Sequence, residues 1–191
     1  ELKDNLLPDD VNADVKVKLT DVMMKDIIQG KNVTASSMNL QVSNQFLELS
    51  GNAVMDNVPV RLSWKENFKN KVERTRYDIA FKLDKEVQKK LGLDVELLSP
   101  PYIDGYADVN AAVSISASNV MDIKVKADLS NAAIDYSFLG FRNLDGATGD
   151  IEANLTMKDN KLASIPYFSL SKADFNLKGK IGLDAKGKLK E

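Results

Sequence analysis

The chain contains no cysteine and no histidine. Without cysteine there is no disulfide, no thiolate nucleophile and no sulfur ligand for a metal. Without histidine it lacks the commonest metal ligand and the usual general base near neutral pH. Aromatic residues are only 7% of the total. Charge of one sign is also missing: 26 Lys and Arg face 28 Asp and Glu, a net charge of -2. Such a balance gives no general attraction for phosphate backbones and argues against nucleic-acid binding. No run reaches the ~18 consecutive apolar residues that a membrane-spanning helix needs.

Catalytic signatures are equally absent. There is no phosphate-cradling glycine loop and no GxSxG elbow. Asp145-Gly146-Ala147-Thr148-Gly149-Asp150 lacks the alternating carboxylates and closing glutamate of an EF-hand loop, so it reads as a hairpin turn. Asp4, Asp9 and Asp10 read as a solvated segment, and the sequons at Asn32 and Asn154 as chance matches. No pair of carboxylates stands out from the mixed-charge faces. The expectation is a protein that is not an enzyme and that carries no cofactor and no metal.

What is present is a period of two. With 191 residues, 43% of them hydrophobic, the chain can bury a core. Val15, Val17 and Leu19 alternate with Asp14, Lys16 and Lys18; Val58, Val60, Leu62 and Trp64 alternate with Pro59, Arg61, Ser63 and Lys65. The same rule holds at Tyr77–Leu83, Val109–Ala117, Ile123–Leu129, Ile151–Met157 and Phe175–Ala185. Successive side chains of a strand point to opposite faces, so each run makes a ribbon with one apolar and one wet side. Such ribbons belong to antiparallel sheets, since parallel sheets covered on both faces show continuous apolar runs.

Turn-forming residues lie between the runs: Ser43-Asn44, Ser50-Gly51-Asn52, Asp56-Asn57, Ser118-Asn119, Gly146 to Gly149 and Asp159-Asn160. Short connections make sequence neighbours spatial neighbours, which predicts a meander of about ten to twelve strands. One short helix is expected near 84–91, with Asp84 as its cap, Val87 and Leu91 on one face, Lys89 and Lys90 in the last turn and Gly92 as its stop. Where alternation fails, from Val22 to Ile28, a second short helix or turn is expected. Pro100-Pro101 breaks the chain into sub-halves of about 10–98 and 102–191 within one continuous sheet over 1–191.

Several strings resemble the AsmA-like superfamily of Gram-negative envelope proteins, including its TamB-like β-groove domains. They are Gly51-Asn52-Ala53, then Asn57-Val58-Pro59-Val60-Arg61-Leu62-Ser63-Trp64-Lys65-Glu66-Asn67-Phe68, Arg76-Tyr77, Leu91-Gly92-Leu93 and Pro101-Tyr102-Ile103-Asp104-Gly105. These are turns and strand ends, and the resemblance covers roughly residues 10 to 185. The resemblance implies a long antiparallel sheet curved into a taco-like groove, apolar inside, that holds or passes phospholipid acyl chains. It also implies a periplasmic location, with anchoring to the inner membrane through a region outside this chain. No catalytic residue comes with it.

A sheet with one apolar face must cover that face with a second sheet, with helices or with an apolar ligand. The candidates for lining a lipid groove are Val15, Val17, Leu40, Val60, Leu62, Trp64, Ile79, Phe81, Val113, Ile115, Ile123, Val125, Leu155 and Phe175. Two alternatives stay open on the residues alone. One is a closed β-sandwich serving as a structural or protein-interaction module of adhesin or secretion type. The other is a half barrel like that of the lipoprotein carriers. Lys178, Lys180, Lys186, Lys188 and Lys190 form a basic stripe that reads as a solvated face or a guarded sheet edge. The chain opens at Glu1 and ends in this Lys-rich run, the look of a piece of a longer protein, and it is expected to self-associate through its outermost strands.

Overall fold

The computed structural model describes residues 14–28, 30–91, 103–137, 141–143, 149–158, 161–172 and 175–182. The strands are β1 (Asp14–Ile28), β2 (Lys31–Ser43), β3 (Phe46–Met55), β4 (Val58–Asn67), β5 (Thr75–Leu83), β6 (Ile103–Gly105) and β7 (Ala107–Ile115). They continue with β8 (Met121–Asp128), β9 (Ala132–Tyr136), β10 (Phe141–Asn143), β11 (Gly149–Lys158), β12 (Lys161–Lys172) and β13 (Phe175–Gly182). One helix, α1 (Lys85–Lys90), follows β5.

The protein is mostly β, as the alternation predicts. Ten strands form one antiparallel sheet in the order β1-β2-β3-β4-β5-β7-β8-β11-β12-β13, a meander that does not close into a barrel. Its register puts the apolar residues in rows across the sheet. Val17, Leu40, Leu49, Trp64, Tyr77, Val113, Ile123 and Leu155 are successive cross-strand partners. The next row runs Gly51, Leu62, Ile79, Ala111, Val125, Ala153, Phe168 and Gly179. At about 4.8 Å per strand, a row of eight spans about 34 Å. The opposite face carries polar and charged residues, including Arg76, which grips Asp78 through two hydrogen bonds of 2.8 Å.

Three features depart from the sequence expectation. First, the meander is interrupted twice. The chain leaves the sheet between β5 and β7 and again between β8 and β11, and both excursions start from the same end, where Leu83 pairs with Ala107 and Asp128 with Asp150. There they meet as a separate three-stranded sheet, β10-β9-β6. Gly105 permits this junction: its φ is +98°, and a Cβ there would collide with the Asn131 carbonyl oxygen.

Second, Val22 to Ile28 is no helix but a bulged strand. Asp21 and Asp26 adopt left-handed φ angles of 50° and 54°, and the β1–β2 register shifts between Met24 and Ile28. A bulge adds an unpaired residue, so alternation is lost while the ladder survives, and the strand bends. The β2–β3 register shifts as well, between Thr34 and Asn39. Third, Ser50-Gly51-Asn52 is not a turn. β3 runs straight through it, and the turn comes at Asp56-Asn57, both at positive φ. Gly51 instead lies under the β2 bulge, where a Cβ would sit 3.2 Å from the Ser37 carbonyl oxygen.

The helix forms as predicted, with Asp84 accepting the Val87 N–H at 2.8 Å. The predicted stop at Gly92, the Pro100-Pro101 break, Asp4, Asp9, Asp10, the Asp159-Asn160 turn and Lys186, Lys188 and Lys190 lie outside the described residues, as does Gly146.

Candidate functional site

The bulges decide how the apolar face is covered. Bent at Asp21 and Asp26, the far end of the β1–β2 hairpin arches over the sheet, and Leu19, Val22, Met24, Ile27 and Ile28 pack against its core. The Tyr77 hydroxyl, on β5, donates to the Ile27 carbonyl at 2.9 Å, although β1 and β5 are separated by three strands in the sheet. Burial pushes the Tyr77 phenol up to about 12, aided by the charge of Glu66, so the hydroxyl stays protonated and able to donate. Trp64 stacks on Tyr77 with ring centroids 6.1 Å apart and gives its indole N–H to Glu66 at 3.0 Å. Glu66 also accepts from the Thr75 hydroxyl.

All the groove candidates whose side chains are described fall on this one face, yet the structure divides them. Val60, Leu62, Ile79 and Val113 are buried in the first core under the arch. Leu40, Trp64, Ile115 and Ile123 pack against that core and are half-buried, and Leu155 is half-buried beside Ile123. Val15 and Val17, near the outer edge of the sheet, are exposed. Phe81 and Val125 pack against a second core made by Ala107, Val109, Ala127, Leu129 and Ala132. Phe175 begins β13, and its side chain lies outside the described residues.

Over the second core the described residues leave the cover incomplete. The small sheet and α1 stand over the inner face of β5, β7, β8 and β11 and leave an apolar pocket of about 430 Å³. Its floor is Phe81, Val109, Ala111, Val125, Ala127 and Ile151; its roof includes Ile103, Leu129 and Ala132, with Lys85 and Gln88 from the helix. Lys85 and Asp104 are exposed and mark the mouth. The volume lies in the ~300–1,000 Å³ range of small-molecule sites.

Sequence reasoning missed most of this lining. Alanines on β7 and β8 make the space, because a methyl group on the floor leaves room that a leucine would fill. The alternation registers them only as weakly apolar. Gln88 was equally invisible, since a glutamine on a short helix is usually solvated, whereas here it is 7% exposed.

A wider hollow of about 700 Å³ lies on the polar face, lined by Asn39, Asn52, Arg61, Asp78, Asn110, Lys124 and Lys126 among others. Its charges are mixed, and Lys126 is already paired with Glu152 at 2.6 Å. Among the described residues no cluster of Asp and Glu is placed to hold a metal ion, and no helix is long and apolar enough to cross a membrane. No family model, no curated protein and no solved structure matches the chain.

Proposed function

We propose that the chain is a lipid-binding groove segment of a bacterial envelope protein, one that holds or passes acyl chains without catalysing a reaction. The observation that carries the proposal is the pocket: an apolar face of ten strands whose cover among the described residues stops short over β7 and β8, leaving about 430 Å³ lined by Phe81, Ala111, Val125 and Ala127. Each methylene buried there is worth roughly 0.8 kcal/mol before ordering costs. Hydrophobic contact is non-directional, so a chain can slide along the rows without breaking specific bonds, as transfer requires. The periplasmic setting and the inner-membrane attachment of a longer protein are part of the same proposal and are supported by the AsmA-like strings quoted above.

One observation favours a second reading for the first half of the sheet. The Tyr77–Ile27 hydrogen bond seals the core under the arch, as in a closed module used for support or protein contact.

The test is native mass spectrometry of protein gently purified from cells, paired with uptake of a fluorescent fatty-acid probe. Bound lipid, and uptake lost in Ala111→Phe, which fills the floor, are the expected results. A protein free of lipid that takes up no probe overturns the proposal and leaves the closed module.

A further inference from the structure

One residue lining the pocket has a buried polar atom with nothing to bind among the described residues. Gln88 is 7% exposed, lines the pocket, and its side-chain carbonyl oxygen Oε1 is buried with no hydrogen-bond partner among the described residues. Its position is fixed by good local chemistry. Asp84 caps the helix, the Gln88 N–H donates to the Asp84 carbonyl at 2.9 Å, and Lys90 reaches the Asn57 carbonyl at 3.3 Å. Val87, the preceding residue, packs into the first core and turns Gln88 toward the second. An amide acceptor held in an apolar pocket by a well-anchored helix is costly, and the cost disappears when a donor arrives.

We propose, building on the lipid-groove reading, that the pocket is selective for an uncharged single-chain lipid whose polar end carries a hydroxyl, of the monoacylglycerol type, with the hydroxyl donating to Gln88 Oε1. Size sets the single chain. Taking a methylene as comparable to the ~30 Å³ share of a liquid water, the pocket holds about fourteen chain atoms, one tail and not two. The donor requirement sets the head. An ionised carboxylate has no proton to give and faces the negative end of the amide dipole; a methyl ester has only acceptors. The tail then lies over Ala111 and Ala127, where the floor is lowest, and the remaining head atoms reach the mouth beside Lys85 and Asp104.

The experiment is calorimetric titration of the full chain with 1-lauroylglycerol, methyl laurate and lauric acid near pH 7, repeated on Gln88→Met. The variant keeps an unbranched side chain of similar length and removes the acceptor. The expected result is about tenfold tighter binding of 1-lauroylglycerol than of methyl laurate by the wild type, as one buried hydrogen bond predicts. In Gln88→Met that ratio falls to about one, with methyl laurate binding at least as well as before. Equal binding of the two lipids by the wild type overturns the donor requirement while leaving the groove intact. So does a preference that survives in Gln88→Met. Lauric acid as the tightest ligand assigns the head to Lys85 and overturns the proposal as well. Binding of none of the three overturns the groove reading itself. Should the variant fail to fold, the wild-type ratio still decides.

Discussion

Tyr77→Phe removes a single oxygen from the clasp that holds the arch, and its consequences follow from the geometry. The ring keeps its packing against Trp64, so no cavity forms. What is lost is one neutral hydrogen bond, and the Ile27 carbonyl is left without its donor. Such a loss costs about 1–2 kcal/mol, since the net value of the bond is about 1 and stranding a half-buried partner adds to it. For a chain of this size that corresponds to a fall in Tm of about 3–6 °C. Leu62→Ala, in the same core, makes a cavity instead and costs about 3–5 kcal/mol. Two features separate the clasp from general weakening. Amide exchange should rise selectively in Val22–Ile28, and the emission of Trp64, the only tryptophan, should change as its environment opens. The pH response should change as well. The folded phenol is raised to about 12 from an ordinary value of 10, so its contribution is fully present below pH 10 and is lost as pH rises toward 12. Wild type should therefore lose stability across that window, and Tyr77→Phe should lose less. A variant with unchanged Tm, unchanged exchange in Val22–Ile28 and the same alkaline response would refute the claim that this bond holds the arch.

Three further outcomes are expected. Asp84→Ala removes the cap of a six-residue helix, which should cost about 0.5–2 kcal/mol by urea titration and weaken lipid uptake by loosening Gln88 at the pocket. Asp56 accepts the Asn32 N–H at 3.0 Å and pairs with Lys31 at 3.1 Å, contacts that hold its carboxyl below the ordinary 3.8. Its contribution is thus present above pH 3.8 and lost as pH falls through the lower folded value, so the Asn32 amide resonance should move in acid in wild type and stay put in Asp56→Asn. Finally, β1 and β13 each have one strand neighbour among the described residues, and Val15, Val17 and Leu177 beside them are exposed. Concentration-dependent association in sedimentation should follow, reduced by Val17→Lys; a monomer at all concentrations would count against edge pairing.

The period of two was enough to read the sheet class, the apolar face and most of the strands, because side-chain direction in a ladder is a local property of the backbone. The helix at Lys85–Lys90 was legible for the same reason: a cap acts over three residues. Local patterns failed where a strand departs from ideal geometry. Asp21, just before Val22–Ile28, and Asp26 within it are left-handed and broke the alternation without ending the strand, and at Ser50-Gly51-Asn52 a glycine chosen for close approach looked like a turn.

Which face is apolar was thus written in the order of the residues, but how that face is covered was not. The arch depends on Tyr77 meeting Ile27 fifty residues away in the chain, and the roof of the pocket on two excursions meeting at one end of the sheet. The pocket itself depends on alanines facing a glutamine that a helix turns inward. These are contacts between distant segments, and hydrophobic attraction has no direction by which a sequence alone could choose among them. Only the bends, bulges and register shifts of the folded chain select one, and with it the space left for a ligand.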